Sequence, residues 1–349
     1  MQHLLEVKDL QTSFFTTSGE VKAVGGVSFS LDKGKVLGIV GESGSGKSVT
    51  AYSIMQILTH PGRIVGGSVK LDGEELVGIS EDKMRAVRGN RISIIFQDPM
   101  TSLNPVFTIG NQLMEAILLH TDRNREQAKQ RAVEMLGLVG INEPEKRIHQ
   151  YAHELSGGMR QRVMIAMALA CEPDILIADE PTTALDVTIQ AQILELMMDL
   201  QKKMGLAIIM ITHDLGVIAS MCDEVIVMYG GRICERGTAD EIFYNPRHEY
   251  TRNLLRSIPN IEDDEKQRLL PISGSPVDLL NMPKGCPFAP RCDRAMKICL
   301  SQFAPEYWVA KDHIASCWVN VLEKRGYLTT EGDMPAEPGY AAQGEEAVQ

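Results

Sequence analysis

The 349-residue chain is poor in aromatic residues, in net positive charge and in long hydrophobic runs. Aromatic residues make up 5% of the chain, too few for the stacked-ring platforms that bind sugars or nucleic acids. The formal net charge is -11, whereas binding to a phosphate backbone demands clustered lysine and arginine. We therefore expect no nucleic acid among the partners.

The longest apolar runs, such as residues 206–212, have the length of a strand and not of a membrane-spanning helix. Residues 1–8 lack the basic segment and apolar core that are typical of a signal peptide. These features predict a cytoplasmic protein, which would reach a membrane by binding a partner that spans it.

Short continuous apolar runs recur along the chain and alternate with stretches of helical periodicity, chiefly 109–154 and 188–204. Such runs are typical of parallel strands that are buried on both faces. The pattern predicts an α/β fold with a mostly parallel sheet, a helical subdomain and an antiparallel β subdomain. The runs are residues 36–40, 92–96, 175–178, 207–211 and 225–228, and the antiparallel strands are expected within 5–10, 27–31 and 68–73.

The composition changes near residues 258–266, which are acidic and include Pro259. A domain of residues 1–257 is therefore predicted, with its helical subdomain at about 101–159. Residues 258–326 form a C-terminal extension that contains four cysteines. Residues 327–349 are rich in glycine, proline, alanine and glutamate, which predicts a disordered tail.

A phosphate-binding loop is indicated by the spacing G-x-x-x-x-G-K-S, which begins at Gly41. Its glycines let backbone N–H groups converge on phosphate oxygens, at the positive end of the helix that follows. Lys47 would reach the outer phosphates, and Ser48 would bind Mg²⁺. A glycine-rich turn without a ligand is disfavoured by the buried strand before it and the helix after it. The predicted nucleotide-binding residues are Gly41, Ser43, Gly44, Ser45, Gly46, Lys47, Ser48 and Val49, which makes the core a P-loop NTPase.

Two carboxylates, Asp179 and Glu180, follow the buried run 175–178. The carboxyl end of a parallel strand lies beside the phosphate loop in a doubly wound sheet. Asp179 would hold Mg²⁺ through water, and Glu180 would polarise the attacking water. The alternative is that both residues only cap a helix or a turn.

Four further short motifs complete the pattern. They are Gln97-Asp98, Leu155-Ser156-Gly157-Gly158-Met159-Arg160-Gln161-Arg162, Ala184-Leu185-Asp186 and His213-Asp214. In order and spacing, they resemble those of the nucleotide-binding subunit of an ABC transporter, over about residues 4–255. The family pattern has glutamine where this chain has Met159, a difference that is expected to affect pairing with a partner subunit and not hydrolysis.

The resemblance implies roles for individual residues. The segment Ser156-Gly157-Gly158 would bind the γ-phosphate of ATP held by the other ATPase subunit, since a helix N-terminus is an anion site. The remaining roles are Mg²⁺ and water contact by Gln97, γ-phosphate contact by His213, a link across the dimer by Asp186, and adenine stacking by Phe14, for which Phe15 is the competitor.

Four cysteines near the end of the chain, Cys286, Cys292, Cys299 and Cys317, have the spacing C-x5-C-x6-C-x17-C. Zinc sites usually contain a C-x2-C pair, so the spacing does not decide between zinc and an iron–sulfur cluster. The segment resembles the C-terminal extension of the ATPase subunits of dipeptide, oligopeptide and nickel importers. That resemblance implies a [4Fe–4S] cluster, with zinc or reduced cysteines as the alternatives.

The resemblance implies an ATPase that energises an importer of dipeptides or oligopeptides from the cytoplasmic face of the cell membrane. Nickel or another small solute is the alternative cargo. A soluble ABC ATPase and a P-loop kinase are weaker alternatives. The chain has one phosphate loop and one Ser-Gly-Gly segment, so a second ABC ATPase subunit is needed, and the resemblance favours a non-identical one. Two transmembrane permease subunits and an extracytoplasmic solute-binding protein are the other implied partners.

Overall fold

The computed structural model describes residues 3–97, 102–183, 185–257 and 272–325. Its first sheet is antiparallel and has the strand order β2-β1-β4-β5. The sheet is built around a long hairpin whose arms extend well beyond the alternating segments predicted from the sequence. Its strands are β1 (Leu5–Thr16), β2 (Gly19–Leu31), β4 (Gly62–Leu71) and β5 (Glu74–Glu75).

The second sheet has eight strands in the order β11-β12-β10-β9-β3-β8-β7-β6. The five strands from β9 to β6 are parallel, as the apolar runs predict, and the other three join antiparallel. The strands are β3 (Val36–Val40), β6 (Ile92–Ile95), β7 (Ile175–Asp179), β8 (Ala207–Ile211), β9 (Glu224–Tyr229), β10 (Arg232–Thr238), β11 (Tyr307–Ala310) and β12 (His313–Ala315).

Helices cover the second sheet and form the predicted helical layer between β6 and β7. Among those that begin at a side-chain cap are α6, which is capped by Ser156, and α7, which is capped by Asp186. The helices are α1 (Lys47–Ile54), α2 (Glu81–Val87), α3 (Ile109–His120), α4 (Arg125–Leu138), α5 (Pro144–Arg147), α6 (Gly157–Leu169), α7 (Val187–Met204), α8 (Leu215–Met221), α9 (Ala239–Tyr244), α10 (Glu249–Arg256), α11 (Lys297–Ser301) and α12 (Trp318–Lys324).

The parallel strands are continuously apolar because both of their faces are buried. Alternate residues of β8 point to opposite faces of the sheet and belong to different hydrophobic clusters. Ile208 and Met210 belong to the core under the helices, whereas Ile209 and Ile211 pack between the two sheets with α1. These two hydrophobic clusters fix the parallel strands, whose carboxyl ends meet at one edge of the second sheet, where the site lies.

The C-terminal extension joins the second sheet. Strand β12 pairs with β10, with Ala315 opposite Glu235. The buried His313 stabilises the pairing of β12 with β10, because its Nε2 lies 2.6 Å from Glu235 Oε1 and its Nδ1 lies 3.2 Å from Glu241 Oε2. The predicted boundary at residue 258 and the predicted tail 327–349 lie outside the described residues.

In the described part of the chain, none of the helices has both the length and the apolar character needed to cross a membrane.

Candidate functional site

The phosphate-loop glycines stand where a larger residue would collide with neighbouring backbone. Gly41 has a φ of 149°, and a Cβ there would lie 2.2 Å from the carbonyl oxygen of Met228 in β9. Gly46 has a φ of 100°, and its Cβ would lie 2.5 Å from the carbonyl oxygen of Ala23 in β2. The loop is therefore pressed against both sheets, and α1 begins immediately after Gly46 with its free N–H groups toward the loop.

Lys47 is buried and curls back over the loop. Its Nζ donates hydrogen bonds to the carbonyl oxygens of Gly41 (2.7 Å) and Glu42 (3.0 Å). Burial lowers the pKa of the lysine, although Glu180, Asp179 and Glu42 oppose the shift. The ammonium is thus held at the loop by carbonyl dipoles, and phosphate oxygens can take their place as acceptors.

Two of the predicted magnesium residues, Ser48 and Asp179, meet at the carboxyl end of β7, whereas Gln97 contacts Glu180. The Ser48 hydroxyl donates to Asp179 Oδ1 (2.9 Å), and the Tyr52 hydroxyl donates to Oδ2 (3.0 Å). Burial raises the pKa of Asp179, and the two hydrogen bonds lower it in part. A serine hydroxyl beside a carboxylate provides the hard oxygen donors that Mg²⁺ prefers, so these residues fit the ion.

Glu180 lies at the centre of the predicted catalytic residues. Its Oε2 accepts hydrogen bonds from Gln97 Nε2 and Thr183 Oγ1, both at 2.9 Å, and its Oε1 lies 3.2 Å from His213 Nδ1. Its backbone is left-handed, with a φ of 49°, and its N–H donates to the Ile211 carbonyl of β8. The structure thus brings Gln97, Glu180 and His213 together, and their catalytic roles stay predictions.

These contacts also set the ionisation of Glu180. Burial raises its pKa, but the hydrogen bonds from His213 and Thr183, together with the charges of His213 and Lys47, outweigh burial and leave the pKa below its usual value. Glu180 is therefore a carboxylate near neutral pH, the form that can accept a hydrogen bond from water.

The Ser-Gly-Gly segment lies at the N-terminus of α6, beside the start of α7. Ser156 Oγ accepts from the N–H of Met159, and a Cβ on Gly158 would lie 2.9 Å from Ile189. Asp186 caps α7 by accepting from the N–H of Ile189 at 3.0 Å. Ser156, Gly157 and Asp186 are exposed. Their predicted roles toward a second subunit remain predictions.

The two candidates for adenine stacking have different surroundings. Phe14 is half-buried, and a Cβ on Gly62 would come within 2.6 Å of its ring. Phe15 is exposed, and the guanidinium of Arg63 lies 4.0 Å above its ring centroid. The assignment of Phe14 remains a prediction.

The four cysteines of the extension line one small cavity, together with Phe288 and Trp318. The cavity measures about 20 Å³, which is room for about one water molecule and far too little for a four-iron cluster. Burial raises the pKa of Cys286 to about 11 and those of Cys292 and Cys317 to about 12, so that in the absence of a metal ion these residues are neutral thiols.

The predicted metal site is therefore not supported. Across the described ranges, no group of three or more histidine, cysteine or acidic side chains is placed to hold a metal ion. The four cysteines do line one cavity, but as placed they form a site for neither the [4Fe–4S] cluster nor zinc.

Comparisons with known proteins agree with this geometry. Residues 24–183 match the family described as ABC transporter, and residues 234–299 match the family described as oligopeptide/dipeptide transporter, C-terminal region. The oligopeptide transport ATP-binding protein OppD of Bacillus subtilis is 57% identical over 317 residues, which cover 90% of this chain and 88% of that protein. This chain belongs to the ATP-binding subunits of ABC transporters.

Other relatives of this ABC subunit support the same family. The dipeptide transport ATP-binding protein DppD of Bacillus subtilis is 51% identical over 320 residues, which cover 91% of this chain and 95% of that protein. Among solved structures, a dimeric ATP-binding cassette in a post-hydrolysis state with ADP and Pi is 26% identical, with a TM-score of 0.61. The match covers 67% of this chain and 98% of that one.

Sequence reasoning missed several residues of the ABC site. Tyr52 had a usable signal, because it stands four residues after Ser48 and therefore on the same face of α1. Thr183 follows Glu180 closely in the chain, but a threonine there has no distinctive pattern. Arg291, which contacts the phosphate loop, lies 249 residues from Glu42 and had no local signal.

Proposed function

We propose that this chain binds and hydrolyses ATP as the energising subunit of an importer of dipeptides or oligopeptides. The main support for ATPase activity is the set of hydrogen bonds that hold the Glu180 carboxylate, from Gln97, Thr183 and His213. The Ser48–Asp179 pair lies next to it. The printed names of the relatives support peptide transport. Nickel or another small solute is the alternative cargo.

Hydrolysis would proceed by in-line attack of water on the γ-phosphate, with the protein providing position and charge. Lys47 and the loop N–H groups bind the phosphates, and Ser48 and Asp179 would hold the magnesium ion that neutralises their charge. Glu180 accepts a hydrogen bond from the attacking water, while Gln97 and His213 fix its carboxylate. The strained φ of Glu180 supports this role, because such strain concentrates at active sites.

We infer that the site is completed by a second ABC ATPase subunit, which the resemblance favours as non-identical. Exposure of Ser156 and Gly157 at the N-terminus of α6 supports the inference, because that terminus is an anion site free to face another subunit. The adjacent Asp186 would then lie at the same interface. An ADP-bound dimeric cassette among the similar structures is consistent with this arrangement.

A cavity of about 360 Å³ beside β6 is the proposed contact for a permease subunit. Phe96, which lines it and is 39% exposed, precedes Gln97, and Gln97 contacts Glu180. A cytoplasmic segment of a permease seated there would press on the residue that holds the catalytic carboxylate. The apolar lining includes Met55, Ile57, Ile94, Leu103 and Met164.

We propose that the chain lies at the cytoplasmic face of the membrane, bound through two permease subunits. An extracytoplasmic solute-binding protein would deliver the cargo. The proposed function does not involve a [4Fe–4S] cluster, because the cysteine cavity does not fit one.

Uptake of labelled peptides by cells that carry the native or the Lys47→Ala chain tests the function. We expect native cells to accumulate peptide, and Lys47→Ala cells to lose uptake while the chain still co-purifies with permease subunits. If native cells take up nickel and no peptide, the proposed peptide cargo is wrong and nickel is the cargo. A native chain that stays free of membrane subunits would refute the importer.

A further inference from the structure

The C-terminal extension holds the phosphate loop through one arginine. Arg291 lies in the short turn Ala289–Arg291 between Cys286 and Cys292. Its Nη1 lies 2.6 Å from Glu42 Oε2, and its Nη2 lies 2.9 Å from Glu42 Oε1. The pair has the two-pronged geometry that makes arginine–carboxylate contacts strong and directional. The arginine side chain is only 5% exposed and that of Glu42 is 23% exposed, so solvent screens the pair weakly.

The guanidinium is fixed on the extension side by further contacts. Its Nε donates to the Ser273 carbonyl at 2.9 Å, and Nη2 also faces the Ile272 carbonyl at 3.3 Å. Nη1 also donates to the Tyr229 hydroxyl at 3.1 Å. All three nitrogens therefore have partners, and the direction of the fork toward Glu42 is determined before any nucleotide binds.

Glu42 carries this constraint into the phosphate loop, because it is the residue after Gly41. Its carbonyl oxygen accepts from the N–H of Ser45 (3.2 Å) and from Lys47 Nζ (3.0 Å), and its own N–H faces the Tyr250 hydroxyl at 2.8 Å. The backbone of Glu42 thus belongs to the loop, while its side chain belongs to the extension.

The extension is anchored behind this contact by three buried rings. Phe288 lies 5.2 Å from Tyr250 and 5.4 Å from Tyr229, between ring centroids, and Tyr229 lies 4.7 Å from Tyr250. All three side chains are almost fully buried. A buried aromatic cluster of this kind is stiff, so a displacement of Arg291 is passed to Glu42 and not absorbed.

We propose that Arg291 is a positioning residue of the ATP site, which holds Glu42 so that the loop Gly41–Ser48 keeps the conformation that binds the triphosphate. The affinity for ATP then depends on the folded C-terminal extension. This inference rests on the proposed ATP-binding function. A contact that only attached the extension to the core would change thermal stability and leave nucleotide affinity unaltered.

The test is Arg291→Lys in the full chain, with its partner subunits present for turnover. Lysine keeps the charge and loses the fork. We expect the Kd for the slowly hydrolysed analogue ATPγS and the KM for ATP to rise roughly tenfold, since small misplacements of binding groups cost this much or more. At saturating ATP, kcat should stay within twofold of the native value. Glu42→Gln should raise the same Kd, and the double variant should lose no more than the worse single variant.

Arg294→Lys is the matched control. Arg294 also lies in the extension, but it pairs with Glu249 and Glu323 and not with the loop. Its Kd should match that of the native chain. An unchanged Kd in Arg291→Lys, an equal rise in Arg294→Lys, or additive losses in the double variant would overturn the proposal. If Arg291→Lys does not fold, Glu42→Gln decides alone: an unchanged Kd rejects the proposal.

Lys47→Ala separates this inference from the proposed function. If it binds ATPγS as well as the native chain does, the ATP site itself is misassigned. If Lys47→Ala loses affinity and the Arg291 and Glu42 variants do not, only the positioning role fails.

Discussion

Replacing Glu180 with glutamine removes one negative charge and preserves the shape of the site. The glutamine oxygen can still accept from Gln97 and Thr183, and its amide can donate to His213 Nδ1, so the three contacts of the native carboxylate can be kept. The free energy of unfolding should therefore change by less than about 1 kcal/mol. What is lost is the ability to take up a proton from water.

The expected effect on turnover follows from this difference. A positioned base contributes about 10²- to 10⁴-fold, so kcat should fall by that factor, which corresponds to roughly 3 to 5 kcal/mol of barrier. The affinity for ATP should stay within about threefold, because Lys47 and the loop are untouched. Phosphate release by the assembled transporter gives kcat, and equilibrium binding gives the affinity.

Glu195→Gln is the control for this variant, since Glu195 is an exposed glutamate on α7, away from the site. It should leave both quantities unchanged. A fall in kcat of less than tenfold for Glu180→Gln, or an equal loss of ATP affinity, would refute the role of Glu180 as the base.

Three further predictions concern the same site. His213→Ala removes a contact that lowers the pKa of Glu180, so the acid limb of the pH profile of kcat should move to higher pH. Tyr52→Phe removes one hydrogen bond to Asp179, so the Mg²⁺ concentration for half-maximal turnover should rise about threefold. Gly41→Ala forces a Cβ into backbone, so unfolding by denaturant should show a loss of about 1 to 3 kcal/mol, with loss of ATP binding.

Each of these has an outcome that contradicts it. An acid limb that stays in place in His213→Ala would mean that the histidine does not tune Glu180. Unaltered Mg²⁺ dependence in Tyr52→Phe would separate the tyrosine from the metal site. For Gly41→Ala the control is Gly137→Ala, in α4, where a Cβ meets no neighbouring atom and stability should rise by up to about 1 kcal/mol. Equal stability of the two variants would refute the steric argument.

The parallel strands could be predicted because their residues are buried on both faces and therefore form unbroken apolar runs. Strands β3 and β8 begin and end at the residues that the runs indicate. Strands β10, β11 and β12 were missed. They join antiparallel, and β12 has only three residues. Their pairing depends on contacts such as that of Glu235 with His313, 78 residues away, which no local pattern records.

The residues of the site also differ in whether a local sequence pattern could predict them. The phosphate loop could be predicted from eight consecutive residues, and Glu180 from its place after a buried strand. The contact of Arg291 with Glu42 could not be predicted, because the two residues are 249 positions apart and no local sequence pattern links them. The cysteine cluster predicted a metal site, but the spacing of the cysteines carries no information about the volume that the thiols enclose, and the structure does not support that site.

The late position of β12 has a consequence for synthesis on the ribosome. At about 5 to 20 residues per second, the 78 residues from Glu235 to His313 take roughly four to sixteen seconds to emerge. During that interval β10 is an unpaired edge, open to pairing with other nascent chains. The strand that protects this edge, and the arginine that holds the phosphate loop, both emerge after β10 and long after the loop itself. The nascent chain therefore covers this sheet edge and, by our proposal, reaches its full nucleotide affinity within the same short stretch of synthesis.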